Sequence, residues 1–419
     1  MGKYKTGKIV FYFLTYYLIS LTQISVAGVY TLNKKSEIKS ITEAINKANP
    51  NDTIIVIGGI YKEKNIIIKK PLVLTGINRP VIDGENKYEL FSVFASDVLI
   101  EGFELRNGGT SNMNDLAGIK VYNSKNVVIK NNNFFNMFFG IYFQECTNSK
   151  ALNNIIKSSG NSEINSGNGI HCWKSTELSI INNKISGQRD GIYFEFVTHS
   201  TIENNISENN IRYGLHFMFS HDDRYLNNIF RFNGAGVAVM YTHHVIMINN
   251  TFSDNWGSAS YGLLMKDISD SDVMYNRFTG NTVAIYMEGS NRNKILSNVL
   301  SGNGSALKIQ ASCDDNTIEK NNFLSNTFDV TTNGSLIQNK FRANYWDKYE
   351  GYDLNRDKTG DIPYHPISLY SMIIEQMPVA TIFLRSFLVA LLDKTEKAIP
   401  SITPDNFRDE EPKLVPYIL

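Results

Sequence analysis

A short motif of alternating apolar residues, opening on glycine, returns along this chain at an almost fixed interval. It reads GIKV at Gly118, GIYF at Gly140, GIHC at Gly169, GIYF at Gly191, GLHF at Gly214, GVAV at Gly236 and GLLM at Gly262, then AIYM at Ala284 and ALKI at Ala306. The steps are 22, 29, 22, 23, 22, 26, 22 and 22 residues, and the two long ones carry insertions around "SSGNSEINSG" and "WGSAS". An Asn pair follows most starts, as at Asn153-Asn154, Asn182-Asn183, Asn204-Asn205, Asn227-Asn228 and Asn249-Asn250. Alternation marks strands with one buried face, and Asn and Gly mark turns that accept left-handed backbone. One such repeat cannot bury its own apolar face, whereas a stack can. The pattern therefore predicts an all-β fold, a right-handed parallel β-helix with coils of ~22 residues. Stacked Asn pairs would form internal amide ladders that satisfy turn backbone.

A solenoid needs closed ends. "SITEAINKAN" predicts a short N-terminal capping helix, with Ser40 and Glu43 as a capping box and Ile41, Ala44, Ile45 and Ala48 on one face. The boundaries read as 1–27 signal peptide, 28–343 β-helix, 344–366 closing segment and 367–419 C-terminal helix and extended tail. Lys3, Lys5 and Lys8 precede "IVFYFLTYYLISL", and Ser25 and Ala27 suit a cleavage site, so an exported, periplasmic protein is expected. Three cysteines, Cys146, Cys172 and Cys313, make no disulfide framework. Lys+Arg and Asp+Glu balance at 41 each, which gives no basic field for nucleic acid.

Counted from each glycine, offsets 1 and 3 are apolar and should point inward, while offsets 2 and 4 should point out. Offset 4 reads Tyr122, Gln144, Trp173, Glu195, Met218, Met240, Lys266, Glu288 and Gln310. Two neighbouring coils thus place methionine in an otherwise polar or amphipathic outer column. Met218 should stack over Met240 and His221 over His243, with His216 and His244 close by. Four of seven histidines fall between residues 216 and 244. Methionine usually fills core gaps, which suits Met265, Met287 and Met247 at inward offsets but not an outward pair. Thioethers beside imidazoles suit Cu(I). Zinc is the competing metal, with Asp222, Asp223, His221 and His243 as its set.

The stretches "YGLHFMFSHDD", "NGAGVAVMYTHHVIMINN" and "GLLMKDISDS", with "NYWDKYEGYDLNRDKTGDIPYHP" at 344–366, resemble the NosD family over nearly the whole chain after the leader. The resemblance implies a periplasmic accessory protein for copper-site assembly in nitrous oxide reductase. It implies partnership with an ABC transporter permease and its ATPase, a copper-carrying lipoprotein as donor, and a scaffold or relay in place of catalysis. It carries a metal role onto Met218, His221, Met240 and His243, and onto His216 and His244.

Two further features stand outside the repeat. "DLNRDKTGD" sets Asp353, Asn355, Asp357 and Asp361 as candidate calcium ligands, although Lys358 replaces the glycine expected at the sixth position, and an Asp/Asn-rich turn is the plainer reading. Tyr345, Trp346, Tyr349 and Tyr352 are expected to close the last coil. Residues 371–392 are apolar on most sides, with Pro378 in a first helical turn and Glu375 and Arg385 arguing against a bilayer span. Val379, Ile382, Phe383, Phe387 and Leu391 would pack on the solenoid or dock on a partner such as the permease. The tail "SITPDNFRDEEPKLVP" reads as a linker or an extended binding arm.

The alternatives are a secreted polysaccharide lyase or hydrolase, and a carbohydrate-binding surface built on Tyr142, Trp173, Tyr193 and Tyr286. A hydrolase needs converging carboxylates. Glu195 and Glu288 lie four coils apart, roughly 19 Å at about 4.8 Å per coil. A lyase would have Lys266 as its base.

Overall fold

The computed structural model describes residues 27–33, 35–111, 114–160, 162–334, 338–398 and 407–419. The expected leader, apart from Ala27, lies outside the described residues. Within them the chain winds as a parallel β-solenoid of three sheets, with 14, 12 and 13 strands, in which the first strand pairs with the second and the later ones pair three positions apart. A complete coil contributes one strand to each sheet, and the end coils contribute fewer. The repeated glycine motif forms the longest strands, such as Tyr213–Met218 and Ala235–His243.

Register follows the repeat. Leu215 lies opposite Val237, Phe217 opposite Val239 and Met218 opposite Met240. Offsets 1 and 3 are fully buried in these coils and form the apolar column. Phe230, Phe252 and Phe278 continue it on another wall, with ring centroids 5.6 and 4.5 Å apart. The opening glycine is required by close approach: a Cβ at Gly236 would lie 2.4 Å from the carbonyl oxygen of Gly262 in the next coil.

The Asn pairs divide their labour. The first member holds left-handed backbone, as in Asn182 (φ 57°) and Asn227 (φ 58°). Only the second turns inward. Asn183 Oδ1 accepts from Asn154 N–H at 3.0 Å, Asn205 Oδ1 from Asn183 at 2.8 Å, and Asn228 Oδ1 from Asn205 at 2.9 Å. The ladder runs on through Asn250, Asn276, Asn298, Asn321 and Asn344. The expectation that both amides of each pair enter the ladder is corrected on this point.

Helix α1 (Ile41–Lys47) closes the N-terminal coil, with the Ser40 side chain accepting from Glu43 N–H and Ile41, Ala44 and Ile45 buried. At the far end the described part of the tail, read as a linker or an extended binding arm, is docked on the solenoid. Phe407 is buried, and Asp409 occupies the next rung beyond Asn344, accepting from Ala343, Asn344 and Glu411 N–H, the Asn344 amide and Trp346 Nε1. The described part of the tail is therefore a lid. Its backbone bridges to Phe341 and Tyr345 replace the coil that is not there.

The segment 371–392 is not one helix. Helix α2 (Leu369–Gln376) packs on strand Phe328–Thr332, its Tyr370 ring buried 6.2 Å from Phe328 and its Glu375 paired with Lys308 at 2.6 Å. A 3-10 helix, Pro378–Phe383, follows with Pro378 at its start, and Arg385 (φ 65°) breaks the chain again before helix α3 (Phe387–Ala398). Proline lacks the N–H that a continuous helix would need at that point.

Candidate metal corner

Strand Tyr213–Met218 ends at its methionine and Ala235–His243 runs on to its histidine, and in both the methionine is followed by a left-handed residue, Phe219 (φ 49°) or Tyr241 (φ 55°). The next side chain, Ser220 or Thr242, turns inward and is buried. His221 and His243 then point out, in a bridging column otherwise made of Lys125, Thr147, Thr176, Thr198, Ser269 and Asn291. A second left-handed residue follows, Asp222 (φ 59°) below His244 (φ 55°). Asp and His tolerate that backbone better than most residues. The corner thus projects two rungs of polar side chains from a rigid edge.

The His221 and His243 rings stack at 3.9 Å, only 8° from parallel. His221 Nδ1 accepts from His243 backbone N–H at 3.4 Å. His243 and His244 are nearly perpendicular, at 77°, with their Nδ1 atoms 3.1 Å apart. His244 Nδ1 lies 3.2 Å from Asp222 Oδ1. Among the described residues, Asp222, His243 and His244 are the one group of three His, Cys, Asp or Glu donors whose ligand atoms lie within 4.8 Å of one another. Burial and the neighbouring His243 hold His221 below the ordinary imidazole range. Asp223 faces inward instead, fully buried, with Oδ1 accepting from Ser200 N–H at 2.7 Å. The proposed zinc set is therefore not assembled.

Met218 and Met240 are half-buried on the outer face and directly paired. The Tyr193 hydroxyl reaches the Met218 sulfur at 3.6 Å. Beyond them Phe196, Phe219 and Tyr241 form an exposed stack at 5.2 and 5.0 Å, which stands at the turn between each methionine and its histidine. His216 shares the outward side of its strand with Met218 but is 6% exposed, enclosed by Tyr193 and Tyr213, with Nδ1 3.9 Å from Asp190 Oδ2 and Nε2 without a hydrogen-bond partner. Offset 2 as a water-facing column is thus overturned: Lys120, Tyr142, His216, Ala238 and Leu264 are all buried. Covering segments explain it where contacts are plain, since Lys120 Nζ donates to Asp115 O and α2 lies over Lys308.

Residues 157–351 match the family model described as "Periplasmic copper-binding protein (NosD)". The "Probable ABC transporter binding protein NosD" of Pseudomonas aeruginosa is 29% identical over 370 residues, 83% of this chain and 85% of that relative. The protein of the same description from Stutzerimonas stutzeri is 26% identical over 82% of this chain and 83% of its own. The chain is similar to the NosD family over this span. Among solved structures, the catalytic unit of an alpha-1,3-glucanase of Streptomyces thermodiastaticus superposes with a TM-score of 0.58 at 11% identity, over 76% of this chain and 68% of the glucanase. The A-module of a mannuronan C-5 epimerase of Azotobacter vinelandii does so with a TM-score of 0.52 at 14% identity, over 74% and 88%. These two share the solenoid fold.

The NosD match spans every residue of the corner. Outside it, Lys266 is ion-paired with Glu288 at 3.4 Å, which raises its pKa and works against a role as base. In the 353–361 loop the oxygens of the would-be calcium ligands cap their own turn. Asp353 accepts from Arg356, Asp357 and Lys358 N–H, Asn355 from Asp357, Asp357 from Thr359, and Asp361 from Leu354. An Asp/Asn-rich turn accounts for these contacts. Trp346 is buried and stacks on Phe323 at 4.0 Å, Tyr345 and Tyr349 are partly buried, and Tyr352 is exposed. Val379, Ile382, Phe383, Phe387 and Leu391 are all exposed.

Sequence reasoning named Asp222 only within the zinc set. The signal for pairing it with His244 was present, because the two lie 22 residues apart, one coil. It missed a polar network behind His216, in which Arg212 pairs with buried Asp190 at 2.9 and 2.6 Å while Asn168 meets His171 at 2.9 Å. Burial takes His171 down to about 3.

Proposed function

We propose that this chain is a periplasmic accessory protein that binds Cu(I) through its outward methionine pair and serves, with an ABC transporter, the copper-site assembly of nitrous oxide reductase. The carrying observation is the Met218–Met240 pairing on the outer face of one sheet. His216, two residues along the same strand, adds an imidazole on the same outward side, its Nδ1 3.9 Å from Asp190 Oδ2 and its Nε2 without a hydrogen-bond partner. Thioethers with an imidazole are a soft donor set, which suits Cu(I). His221, His243 and His244 lie across the turn from this pair, past the Phe219–Tyr241 stack, and stand outside the Cu(I) donor set. The family description and the relatives' names support the copper and transporter parts of this reading. The ion is cargo: a copper-carrying lipoprotein supplies it, and the chain relays it without catalysis.

The exposed apolar residues from Val379 to Leu391 are assigned to the outer face of the permease. Among the described residues no helix is long and apolar enough to cross a membrane, so contact with the transporter would be peripheral.

The test is anaerobic competition between purified protein and a Cu(I) chelator. Met218→Leu with Met240→Leu should weaken Cu(I) binding at least tenfold and leave the melting temperature unchanged, because both side chains lie outside the core. Unchanged affinity in that double variant would sink the assignment.

A further inference from the structure

We infer that the corner carries a second metal site of different character: Asp222, His243 and His244 bind a borderline divalent cation, Zn(II) or Cu(II), apart from the thioether pair given above to Cu(I). The inference rests on the reading that this surface handles metal, and it divides that surface in two.

Ring orientation makes the division. An imidazole binds metal in its own plane, along the nitrogen lone pair. The His221 and His243 rings are stacked and 8° from parallel, so their lone pairs run side by side and do not converge on one ion. His221 is therefore a positioning residue: its face supports the His243 ring, and its Nδ1 accepts from the His243 backbone. His243 and His244 are not stacked in this way: their rings stand at 77° with the two Nδ1 atoms 3.1 Å apart. Asp222 Oδ1 completes the triangle, 3.2 Å from His244 Nδ1.

The protons do not fit as well as a cation would. Two ring nitrogens and a carboxylate oxygen lie within 4.8 Å of one another, and each neutral imidazole carries a single ring proton. A proton on His244 Nδ1 that serves Asp222 leaves His243 Nδ1 facing the same nitrogen without a lone pair to meet. One divalent ion would take all three lone pairs together. No cation in the column competes for the carboxylate, since Arg292 is committed to Asp270 through two hydrogen bonds of 2.8 and 2.7 Å.

Donor type sets the preference. Two imidazoles and a carboxylate suit Zn(II) or Cu(II), whereas thioethers favour Cu(I). Asp222 and His244 are 37% and 59% exposed at their side chains, which leaves coordination positions open to water or an incoming ligand. The Phe219–Tyr241 stack stands at the turn between the two donor sets.

The experiment titrates the purified full chain with Co(II), followed by its visible bands, with Zn(II) as competitor, and separately with Cu(I) against a chelator. Wild type should take up one Co(II), displaced by Zn(II). Asp222→Asn and His244→Gln should each weaken Co(II) at least tenfold and leave Cu(I) affinity unchanged. Met218→Leu with Met240→Leu should do the reverse. His221→Ala should keep the number of nitrogen couplings in the Cu(II) EPR spectrum. The inference is overturned by absent Co(II) binding in folded wild type, by Co(II) affinity indifferent to Asp222→Asn, or by both metals weakening together in either set. Co(II) binding with no Cu(I) binding would instead overturn the proposed function and leave this site standing.

Discussion

Asp223 stands in a buried column whose other members at this level, Val245, Ser271 and Asn293, are neutral. Its Oδ2 has no hydrogen-bond partner, and burial raises its pKa well above the ordinary carboxylate value. Folded and unfolded chains therefore bind protons differently here. Stability from this group is complete below about pH 4, the unfolded carboxyl range, and is lost as pH rises through the folded value. Asp223→Asn removes that loss and can donate to a carbonyl of the preceding coil, as Asn293 does to Ile268 at 3.1 Å. It should stabilise the protein at neutral pH by about 2 kcal/mol, the cost of a buried unpaired polar group. Urea denaturation at pH 4 and pH 7 checks this; an equal gain at both would refute the protonation argument. His171 acts with the opposite sign. Held at about 3 against an unfolded value of 6.5, it costs stability as pH falls between them. What the sequence let one read at this scale was periodic. The Met218–Met240 and His221–His243 pairings follow from a 22-residue offset. Ring tilts and the burial of His216 depend on insertions and on neighbouring Tyr193 and Tyr213, which no period encodes.

At the scale of elements, the ends were harder to read than the middle. Helix α1 announced itself through Ser40 and a one-sided apolar face. The C-terminal lid did not, because Asp409 imitates a ladder asparagine from 65 residues beyond Asn344, outside any repeat. With five donors converging on its carboxylate, Asp409→Ala should cost about 3 kcal/mol, since it leaves buried N–H groups unmet. The denaturation midpoint should drop with no change in slope, and hydrogen exchange should quicken first at Ala343 and Asn344. Protection unchanged at those two amides would mean that the lid is dispensable. Pro378 did signal a helical start, but of a short 3-10 element and not of a longer C-terminal helix.

For the molecule as a whole, the solenoid separates a chemical edge from an apolar end. Helix α2 fastens the C-terminal segment to the last coils through Tyr370 and Glu375, and the residues after it leave their apolar side chains in water. Replacing Val379, Ile382 and Phe387 together by serine should leave the melting temperature of the isolated chain unchanged and abolish its co-purification with the transporter. A lower melting temperature with association retained would make the segment a cap only.

The uniform rise of the coils makes the molecule a graduated rod. The Met240 strand and the strand under α2 are separated by four rungs, about 19 Å at about 4.8 Å each. Duplicating or losing one whole repeat would shift that span by a single fixed increment while every amide ladder and every donor set kept its local geometry. Reach between cargo and anchor can therefore lengthen or shorten in discrete steps, with the chemistry at either station untouched.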